Sequence, residues 1–390
     1  MDFSWSDEHR LIAETARRIG EEFGPDYWLA KDKAKAFPRE MWKAICDAGL
    51  VGVALPEAYG GGGLGMVELA LVIENLTAGG AGATLAQVFM LNPVFGGVSL
   101  SKFAPPKMRD ALMPGLISGD IGFCMALTEP DAGSNSLEIR TFARRDGDGW
   151  RLSGQKIWIT GVDVARKMLV VCRTKRIEEV QKKSDGLSLF MIDVEREGLT
   201  WTPIEKAGTN TLISATIHFD NVKIRDDEVI GTVDDGWRAL LDILNTERIV
   251  TTAGLVGAGR FAISRAVAYA SERKVFGGRP IGSYQGLQFP LAQAHAELEA
   301  ASLLNFKAAW LFDHGRPFGS EANAGKLIAY QAANAAIEQA MQTMGGMGYA
   351  RESHLERLWR DVRLFRFAPV SEEMLLNFIA QHDLKMPRSY

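Results

Sequence analysis

The sequence has few of the residues that mark disulfide-bonded, metal-binding or nucleic-acid-binding proteins. Its 390 residues include only three cysteines and six histidines. Cys46, Cys124 and Cys172 are odd in number and far apart, which argues against a disulfide framework or a zinc site and indicates a reducing compartment. The histidines show no paired ligand spacing. With a net charge of −4, the chain also lacks the basic excess of a nucleic-acid-binding surface.

Signals for a membrane or for export are missing as well. No apolar run reaches the length that crosses a bilayer, and the acidic start, with Asp2, Asp7 and Glu8, is unlike a signal or transit peptide. We therefore expect a bacterial cytoplasmic protein with no membrane partner, no nucleic-acid partner and no metal. A chain of this length also exceeds one ordinary core, so two or three domains are expected.

The pattern of apolar residues divides the chain into three regions. Residues 1–122 carry the apolar period of helices, and their turns contain glycine and proline. Residues 123–233 alternate with period two between Gly/Asp turns, which predicts strands. No ten-residue helix separates these strands, so we expect an antiparallel barrel or sandwich. Helical patterning returns over 234–390 and predicts a four-helix bundle. The expected fold class is α+β, with these three ranges as its domains.

The C-terminal pattern predicts long helices at 236–274, 284–314 and 320–344, and a last helix that Ser371 begins. Neither glycine-rich stretch of the chain has the context of a nucleotide-binding loop. The glycines at 60–63 are not followed by Gly-Lys-Ser/Thr, so we interpret them as a flexible turn. Those at 254–259 neither follow a strand nor open a helix, and close helix packing explains them better than a dinucleotide fold.

One carboxylate occupies a position that the helical pattern reserves for the core. Apolar residues at 237, 240, 241 and 244 form one face of a helix, and the same face continues through Glu247 to Thr251 and Gly254. A buried carboxylate is expensive unless it has a partner or a function. Two interpretations remain open from this segment alone: an ion pair with Arg248 or another arginine, or a catalytic residue. The small residues beyond Glu247 leave room for a backbone or a ligand.

Five segments together resemble the acyl-CoA dehydrogenase family of flavoproteins. Residues 128–135 read Thr-Glu-Pro-Asp-Ala-Gly-Ser-Asn, and 156–160 read Lys-Ile-Trp-Ile-Thr. Residues 272–277 read Glu-Arg-Lys-Val-Phe-Gly, and 345–349 read Gly-Gly-Met-Gly-Tyr, followed by Arg-Asp at 360–361. Leu-Pro-Glu-Ala-Tyr-Gly-Gly at 55–61 fits too. The match covers nearly the whole chain, in order, with the same sequence of helical and β regions.

The resemblance implies an FAD-dependent enzyme and assigns roles to its residues. Thr128 and Thr160 would hydrogen-bond the flavin ring, Trp158 would stack beside it, and Ser134 would contact the pyrophosphate and the coenzyme A arm. Ser371 would touch the flavin from the same subunit. Further implied FAD contacts, several of them from a neighbouring subunit, are Met125, Leu127, Gly133, Arg273, Phe276, Gln285, Gln342, Gly345, Gly346 and Glu373. The implied partners are an acyl-CoA substrate, further copies of the chain in a homotetramer built as a dimer of dimers, and electron-transfer flavoprotein as the electron acceptor.

The chain departs from the family at its catalytic base. Most members carry a glutamate just before the last helix, where this chain has Pro369. Two branches, the isovaleryl-CoA and long-chain dehydrogenases, carry it immediately before an arginine on an earlier helix, and Glu247 precedes Arg248 in that way. The resemblance therefore favours Glu247 as the base, with Asn245, Arg248, Ser134 and Val370 as substrate contacts. Proline also removes a backbone N–H donor to the thioester carbonyl, so Val370 or a water would have to take that role.

Rival functions remain open. The fold could catalyse enoyl-CoA reduction, or oxidise a substrate that lacks coenzyme A. It could also be a catalytically silent flavoprotein that only binds acyl-CoA. Neither the acyl chain nor the physiological direction follows from the sequence.

Overall fold

Helices form the first third of the protein. The computed structural model describes residues 4–388. The N-terminal helices are α1 (Asp7–Glu22), α2 (Pro25–Ala34), α3 (Arg39–Asp47), α4 (Met66–Leu76), α5 (Ala83–Phe89), α6 (Ser99–Phe103) and α7 (Pro106–Ser118). The Ser6 hydroxyl accepts the backbone N–H of His9 at 3.2 Å and caps α1. The segment 51–56, between α3 and α4, forms turns.

The segment Ala83–Phe103 is the core of this region. This segment consists of α5, α6 and, between them, a stretch of π-helix, Met90–Val98, which contains Pro93. By length and composition it is apolar enough to cross a membrane, but its most apolar window is buried throughout inside the protein. The expectation that no apolar run reaches spanning length was therefore wrong. Such a run is equally typical of the central helix of a large packed core.

A single mixed sheet follows. Its strands are β1 (Phe123–Ala126), β2 (Phe142–Asp146), β3 (Gly149–Thr160), β4 (Lys167–Arg173), β5 (Leu187–Asp193), β6 (Leu199–Pro203), β7 (Ser214–Arg225) and β8 (Val229–Ile230). Their order is β6-β7-β3-β2-β4-β5-β8, and β1 pairs with β4. In the described chain β6 and β8 do not pair, so the sheet is sandwich-like and not a closed barrel. The hairpin predicted at 146–149 is the β2–β3 turn.

The expectation of a purely antiparallel sheet was wrong at two pairings. β1 runs parallel to β4, with Phe123 opposite Lys167, and β2 meets the end of β4 in parallel at Phe142 and Arg173. A parallel pair needs a long connection, and here the connection is made by loops and the hairpin instead of a helix. The absence of a helix between strands therefore did not exclude parallel pairing.

The C-terminal region contains the longest helices. They are α8 (Gly236–Glu272), α9 (Gln285–Asp313), α10 (Gly319–Met344), α11 (Gly346–Tyr349), α12 (Leu355–Arg363) and α13 (Glu372–Phe378), and the short hairpin strands β9 (Lys274–Val275) and β10 (Arg279–Pro280) follow α8. The three long helices end within two residues of their predicted limits. They pack against one another, and the shorter α12 and α13 pack on α10.

Three hydrophobic clusters hold these layers together. One lies inside the sheet region, and one lies among α8, α9, α10 and α12. The largest joins the N-terminal helices to one face of the sheet and to the first half of α8. Because α8 contributes to both helical clusters, its middle turns are enclosed on all sides.

Candidate active site

Glu247 lies in this enclosed part of α8. Its side chain is fully buried, and its Oε2 accepts a hydrogen bond from the Thr251 hydroxyl at 3.3 Å. Its Oε1 has no hydrogen-bond partner in the described chain. Burial raises the pKa of this carboxyl above its usual range, and the positive charges of Lys326 and Arg248 and the Thr251 hydroxyl only partly offset that effect. The result is a carboxyl that accepts a proton more readily than an exposed one.

Within the part of the chain that the structure describes, Glu247 does not form the ion pair that the sequence left open. Arg248 is also buried, but its guanidinium donates to the side-chain oxygen of Asn245, one turn earlier on α8, and its Nε has no partner in the described chain. Burial lowers the pKa of Arg248, and the nearby Glu247 opposes that shift. Asn245 and Arg248, both expected to bind substrate, are thus brought together beside Glu247.

The small residues that follow Glu247 serve helix packing. A Cβ on Gly254 would lie 2.4 Å from the Cβ of Ala86 on α5, and one on Gly257 would lie 1.9 Å from the hydroxyl oxygen of Thr77. The space beside Gly254 is therefore filled by α5 and does not accommodate a ligand. Of the two occupants that the sequence left open beside these small residues, a backbone or a ligand, Gly254 therefore faces another helix, which agrees with the expectation of close helix packing.

Lys326 is a site residue that the sequence reasoning missed. It lies on α10, its side chain is fully buried, and its Nζ donates to the carbonyl oxygens of Ala368 at 3.2 Å and Val370 at 2.5 Å. The signal was present, because Lys326 shares a helical face with the buried Ala322, Ala329 and Ala333. It is a charge at a core position, the same feature that singled out Glu247.

The turn that Lys326 holds contains Pro369 and leads into α13. The Ser371 hydroxyl accepts the backbone N–H of Met374 at 3.3 Å and caps that helix, as predicted. Val370 is half-buried, and its N–H donates to no protein group in the described chain. Glu373 is exposed in the first turn of α13. The turn therefore offers one free backbone donor directly after the proline.

A buried ion pair shapes the loop that follows β1. Glu129 accepts the backbone N–H groups of Arg140 at 2.6 Å and Thr141 at 2.9 Å. The Lys156 Nζ donates to Glu129 at 2.9 Å and to the carbonyl of Leu127 at 2.7 Å. Glu129 and Lys156 thus neutralise each other in the interior. Thr128, Gly133 and Ser134 of the same loop are more accessible to solvent. Met125 and Leu127 are half-buried beneath it.

The strand predicted to flank the flavin has an irregular backbone at Trp158. The pairing of β3 with β7 shifts register between Lys156 and Ile159, and Trp158 has a positive φ of 62°. Its ring is 52% exposed. The backbone N–H of Ile157 donates to the carbonyl of Thr128 at 2.9 Å, so the indole and Thr128 lie on adjoining segments. The Thr160 hydroxyl forms a hydrogen bond with that of Ser214 at 3.0 Å.

The remaining expected FAD contacts lie on exposed surfaces of the C-terminal region. Arg273, Phe276 and Gln285 are exposed around the β9–β10 hairpin, and Phe276 is 94% exposed with a positive φ of 42°. Gln342, Gly345 and Gly346 are exposed at the end of α10. Among residues 4–388, no hydrogen bond or ring contact links either group to Thr128 or Trp158. The single chain therefore assembles one part of the expected cofactor site and leaves the other part facing outward.

These surfaces fit a flavin dinucleotide. The half-exposed indole beside two threonines offers a flat apolar surface with hydroxyl donors. A Cβ built on Gly345 or Gly346 would meet nothing within 4 Å, so a ligand can approach the backbone there. By contrast, the open cleft of about 890 Å³ between the turns of the sheet, lined by Arg151, Arg196 and Asp226 among others, includes none of the expected site residues.

Comparison with known proteins gives a consistent result along the chain. Three family models match: the acyl-CoA dehydrogenase N-terminal domain over residues 6–120, the middle domain over 124–222 and the C-terminal domain over 234–384. The chain is 40% identical to acyl-CoA dehydrogenase FadE12 of Mycobacterium tuberculosis over 390 residues, which is 100% of this chain and 99% of that protein.

Two further similarities concern the reaction and the cofactor. The chain is 30% identical to the 3-(aryl)acrylate reductase of Clostridium sporogenes, over 98% of this chain and 100% of that protein. A glutaryl-CoA dehydrogenase from Mycobacterium smegmatis in complex with FADH2 superposes with a TM-score of 0.91. It has 26% identity and covers 99% of this chain and 97% of that one.

Proposed function

The chain belongs to the acyl-CoA dehydrogenase family of FAD oxidoreductases, and we propose that it converts an acyl-CoA thioester to the trans-2-enoyl-CoA with Glu247 as the base. The observation that carries the proposal is the state of that carboxyl: it is buried, and among residues 4–388 it has no ion-pair partner and one of its oxygens accepts no hydrogen bond. Its raised pKa suits proton abstraction, because a general base works best when its pKa lies near the operating pH.

The reaction begins with removal of the α-proton by Glu247. That proton is weakly acidic, so the thioester carbonyl must be polarised by aligned donors. Pro369 has no N–H, and the free N–H of Val370 is the nearest backbone donor along the turn. A bound FAD would supply the acceptor for the hydride that leaves the β-carbon.

Substrate binding would use the residues that line Glu247 and the loop after β1. Asn245 lies two residues before the base and accepts a hydrogen bond from Arg248, the residue after the base. Arg248 supplies a buried positive charge for an anionic or carbonyl group. Ser134 is exposed on its loop and would contact the coenzyme A arm.

The cofactor site would be completed by a second subunit. Met125, Leu127, Thr128, Gly133, Ser134, Trp158 and Thr160 would hold FAD from one side, with Ser371 and Glu373 at the start of α13. The neighbouring subunit would supply Arg273, Phe276, Gln285, Gln342, Gly345 and Gly346. Phe276 would gain most from this division, because its phenyl ring is 94% exposed in the single chain and a neighbouring subunit would remove that apolar surface from water. A homotetramer built as a dimer of dimers would bury these surfaces.

Three wider features belong to the same proposal. The domains would be 1–122, 123–233 and 234–390, limits that lie close to the transitions between helices and strands. The electron acceptor would be electron-transfer flavoprotein. The compartment would be the reducing cytoplasm, which suits the three free, buried cysteines.

Reduction of an enoyl substrate is the second candidate. The identity with a relative named as a 3-(aryl)acrylate reductase favours it, because the same base and flavin catalyse both directions of one reaction. In that direction Glu247 would be protonated and would deliver its proton to the α-carbon. A raised pKa suits a proton donor as well as a proton acceptor.

Anaerobic titration separates the two directions and tests the proposed function. The holoenzyme is mixed with a panel of acyl-CoA thioesters of different length and branching, and flavin bleaching is followed by absorbance. In parallel, the chemically reduced enzyme is mixed with the matching enoyl-CoA thioesters and enoate acids. We expect rapid bleaching by at least one acyl-CoA. Reoxidation by an enoate acid without any reaction of CoA thioesters would contradict the proposal, as would a flavin that responds to none of these compounds.

A further inference from the structure

Lys326 is the one fully buried cation that lies between Glu247 and the turn around Pro369 in the described chain. It lies in the middle of α10, which packs along α8. The neighbouring residue of α10 shows the closeness of this packing, since a Cβ on Gly325 would lie 3.9 Å from the Cγ2 of Thr252. Thr252 is one turn beyond Arg248 on α8, so this part of α10 faces the turns that carry Glu247.

On its other side Lys326 fixes the turn before α13. Its Nζ donates to the carbonyls of Ala368 and Val370, which lie on either side of Pro369. These two bonds orient the backbone whose free N–H belongs to Val370. The ammonium therefore contacts the turn directly and acts on Glu247 through its charge.

The charges that face Lys326 come from one neighbouring helix. Glu247 attracts its proton and Arg248 repels it, both from α8, while burial is the largest effect and lowers the pKa of Lys326 to about 8. In the same way, Lys326 provides the largest of the effects that oppose the rise in the pKa of Glu247. Thr251 and Arg248 are the other groups that favour the ionised carboxylate.

A lysine in this position is costly if it serves only to tie two carbonyls, because removing an ammonium from water requires a compensating interaction. A neutral donor such as glutamine would satisfy hydrogen-bonding groups at a lower desolvation cost. The charge itself therefore requires an explanation. Among residues 4–388, Glu247 is the only carboxylate whose charge raises the pKa of Lys326.

We propose that Lys326 is a positioning residue for the reaction, which keeps Glu247 ionised and holds the Ala368–Val370 turn so that the Val370 N–H is presented to the substrate. This inference rests on the proposed function, because it assumes that Glu247 is the base. It adds to the site a residue of α10, which links Glu247 on α8 to the Val370 N–H. That N–H takes the place of the donor that is missing at Pro369.

The test compares Lys326→Met, which removes the charge and the donors, with Lys326→Arg, which keeps both. Single-turnover flavin reduction by the best acyl-CoA is measured from pH 5.5 to 9. In Lys326→Met we expect the midpoint of the acid limb of the pH–rate profile to move up by about one pH unit. At pH values well below that midpoint, the rate of flavin reduction would then be about tenfold lower than in the wild type. Above pH 8, where the lysine of the wild type loses its own charge, the profile of Lys326→Met should level off below that of the wild type by a factor that no longer changes with pH, because methionine cannot hold the Ala368–Val370 turn. Lys326→Arg should keep the limb of the wild type.

An infrared titration of the holoenzyme provides a readout that is independent of turnover. The band of the protonated Glu247 carboxyl is assigned by its loss in Glu247→Gln, and its midpoint should rise in Lys326→Met by the same amount as the acid limb. A uniform loss of rate at every pH with an unshifted midpoint would show that Lys326 is only structural and would overturn the proposal.

Two controls keep the inference separate from the proposed function. If Glu247→Gln still reduces its flavin, the base lies elsewhere and the proposed function fails, whatever Lys326→Met does. If Glu247→Gln is inactive but the profile of Lys326→Met overlays that of the wild type, only the present inference fails. Should Lys326→Met not fold, Lys326→Gln provides the same comparison, and failure of both neutral variants to fold would also overturn the proposal in favour of a structural role.

Discussion

The hydroxyl of Thr251 donates to Glu247 Oε2 across one turn of α8, at 3.3 Å, and it is the only hydrogen bond to that carboxylate in the described chain. Glu74, another fully enclosed carboxyl in the helical core, is treated differently: it accepts the Ser302 hydroxyl at 2.9 Å and forms an ion pair with Arg260. Two buried glutamates of one protein therefore differ in their partners. The contrast distinguishes Glu74, a structural carboxylate, from Glu247, which remains able to accept a proton.

The first prediction concerns stability. Burial raises the pKa of Glu247 above its value in the unfolded chain. Because the pKa of Glu247 is higher in the folded protein, the neutral carboxyl contributes stability at pH values below its pKa in the unfolded chain, near 4.5. This contribution is lost as the pH rises through the pKa of Glu247 in the folded protein. Glu247→Gln should therefore be more stable than the wild type at pH 8, by about 1–3 kcal/mol, and the difference should shrink toward pH 5.

Unfolding of the holoenzyme, followed by circular dichroism at both pH values, measures this difference. Glu74→Gln is the matched control. Burial raises the pKa of Glu74 as well, but this carboxylate is paired with Arg260 and Ser302, and removing one partner of a buried ion pair is destabilising. We therefore expect Glu74→Gln to lose stability at pH 8. Equal losses in the two variants would show that Glu247 is a structural carboxylate like Glu74.

The second prediction concerns the Thr251 hydroxyl. Thr251→Val removes the hydrogen bond that favours the ionised Glu247, so the pKa of the carboxyl should rise further. Flavin reduction should slow by a few-fold on the acid side of the profile and stay unchanged on the alkaline side. Thr252→Val is the control on the next position of α8, because the Thr252 hydroxyl donates to the Arg248 carbonyl at 2.7 Å and not to Glu247. Similar profiles for both variants would count against the role assigned to Thr251.

The third prediction concerns the loop after β1. Lys156→Met leaves Glu129 buried without its cation and removes the donor to the Leu127 carbonyl. Breaking a buried pair on one side costs about 3–5 kcal/mol, and the displaced loop should release FAD more readily. Denaturant unfolding and flavin release on gel filtration measure these effects. Lys43→Met, in the exposed pair with Asp47, should change neither. Full FAD retention by Lys156→Met would refute the link between this pair and the cofactor.

The fourth prediction concerns the shared cofactor site. Arg273→Ala should weaken FAD retention, and the weakening should grow on dilution, as subunits separate. Flavin fluorescence across a dilution series, with light scattering for the oligomeric state, measures both. Lys182→Ala, which removes an exposed charge in the loop before β5, should behave like the wild type. A stable monomer that keeps its flavin would disprove the shared site.

Periodicity predicted the long helices because their apolar faces and their ends are both local properties. The limits of α8, α9 and α10 follow from residues within one or two turns. The parallel pairing of β1 with β4 could not be predicted in this way, because it joins Phe123 to Lys167 across a hairpin. Local patterns do not encode which distant strands pair.

The candidate site was predicted unevenly for a similar reason. Glu247 interrupts an otherwise apolar face, so its sequence context marked it. Lys326 also interrupts a core face, but its meaning depends on the Val370 carbonyl, 44 residues away, and on a charge on another helix. That Gly254 packs against Ala86 likewise becomes known only when α5 and α8 are placed together.

The most direct test of the account is the rate of flavin reduction in Glu247→Gln, with Glu372→Gln as the control. Glu372 follows Pro369 closely along the chain, so it is the nearest carboxylate in sequence to the place where most of the family carry the base. Its carboxylate is held by Arg366 at 2.9 Å and by Gln331 at 2.7 Å. A carboxylate with these two partners is not free to accept a substrate proton.

Both variants are mixed with the best acyl-CoA substrate in a stopped-flow instrument, and exchange of the substrate α-proton with heavy water is followed in parallel. A positioned general base contributes about a hundredfold to ten-thousandfold to the rate. The account predicts a loss of that size in both measurements for Glu247→Gln, with an unchanged flavin spectrum, and rates near those of the wild type for Glu372→Gln. Flavin reduction by Glu247→Gln within a few-fold of the wild-type rate would contradict it.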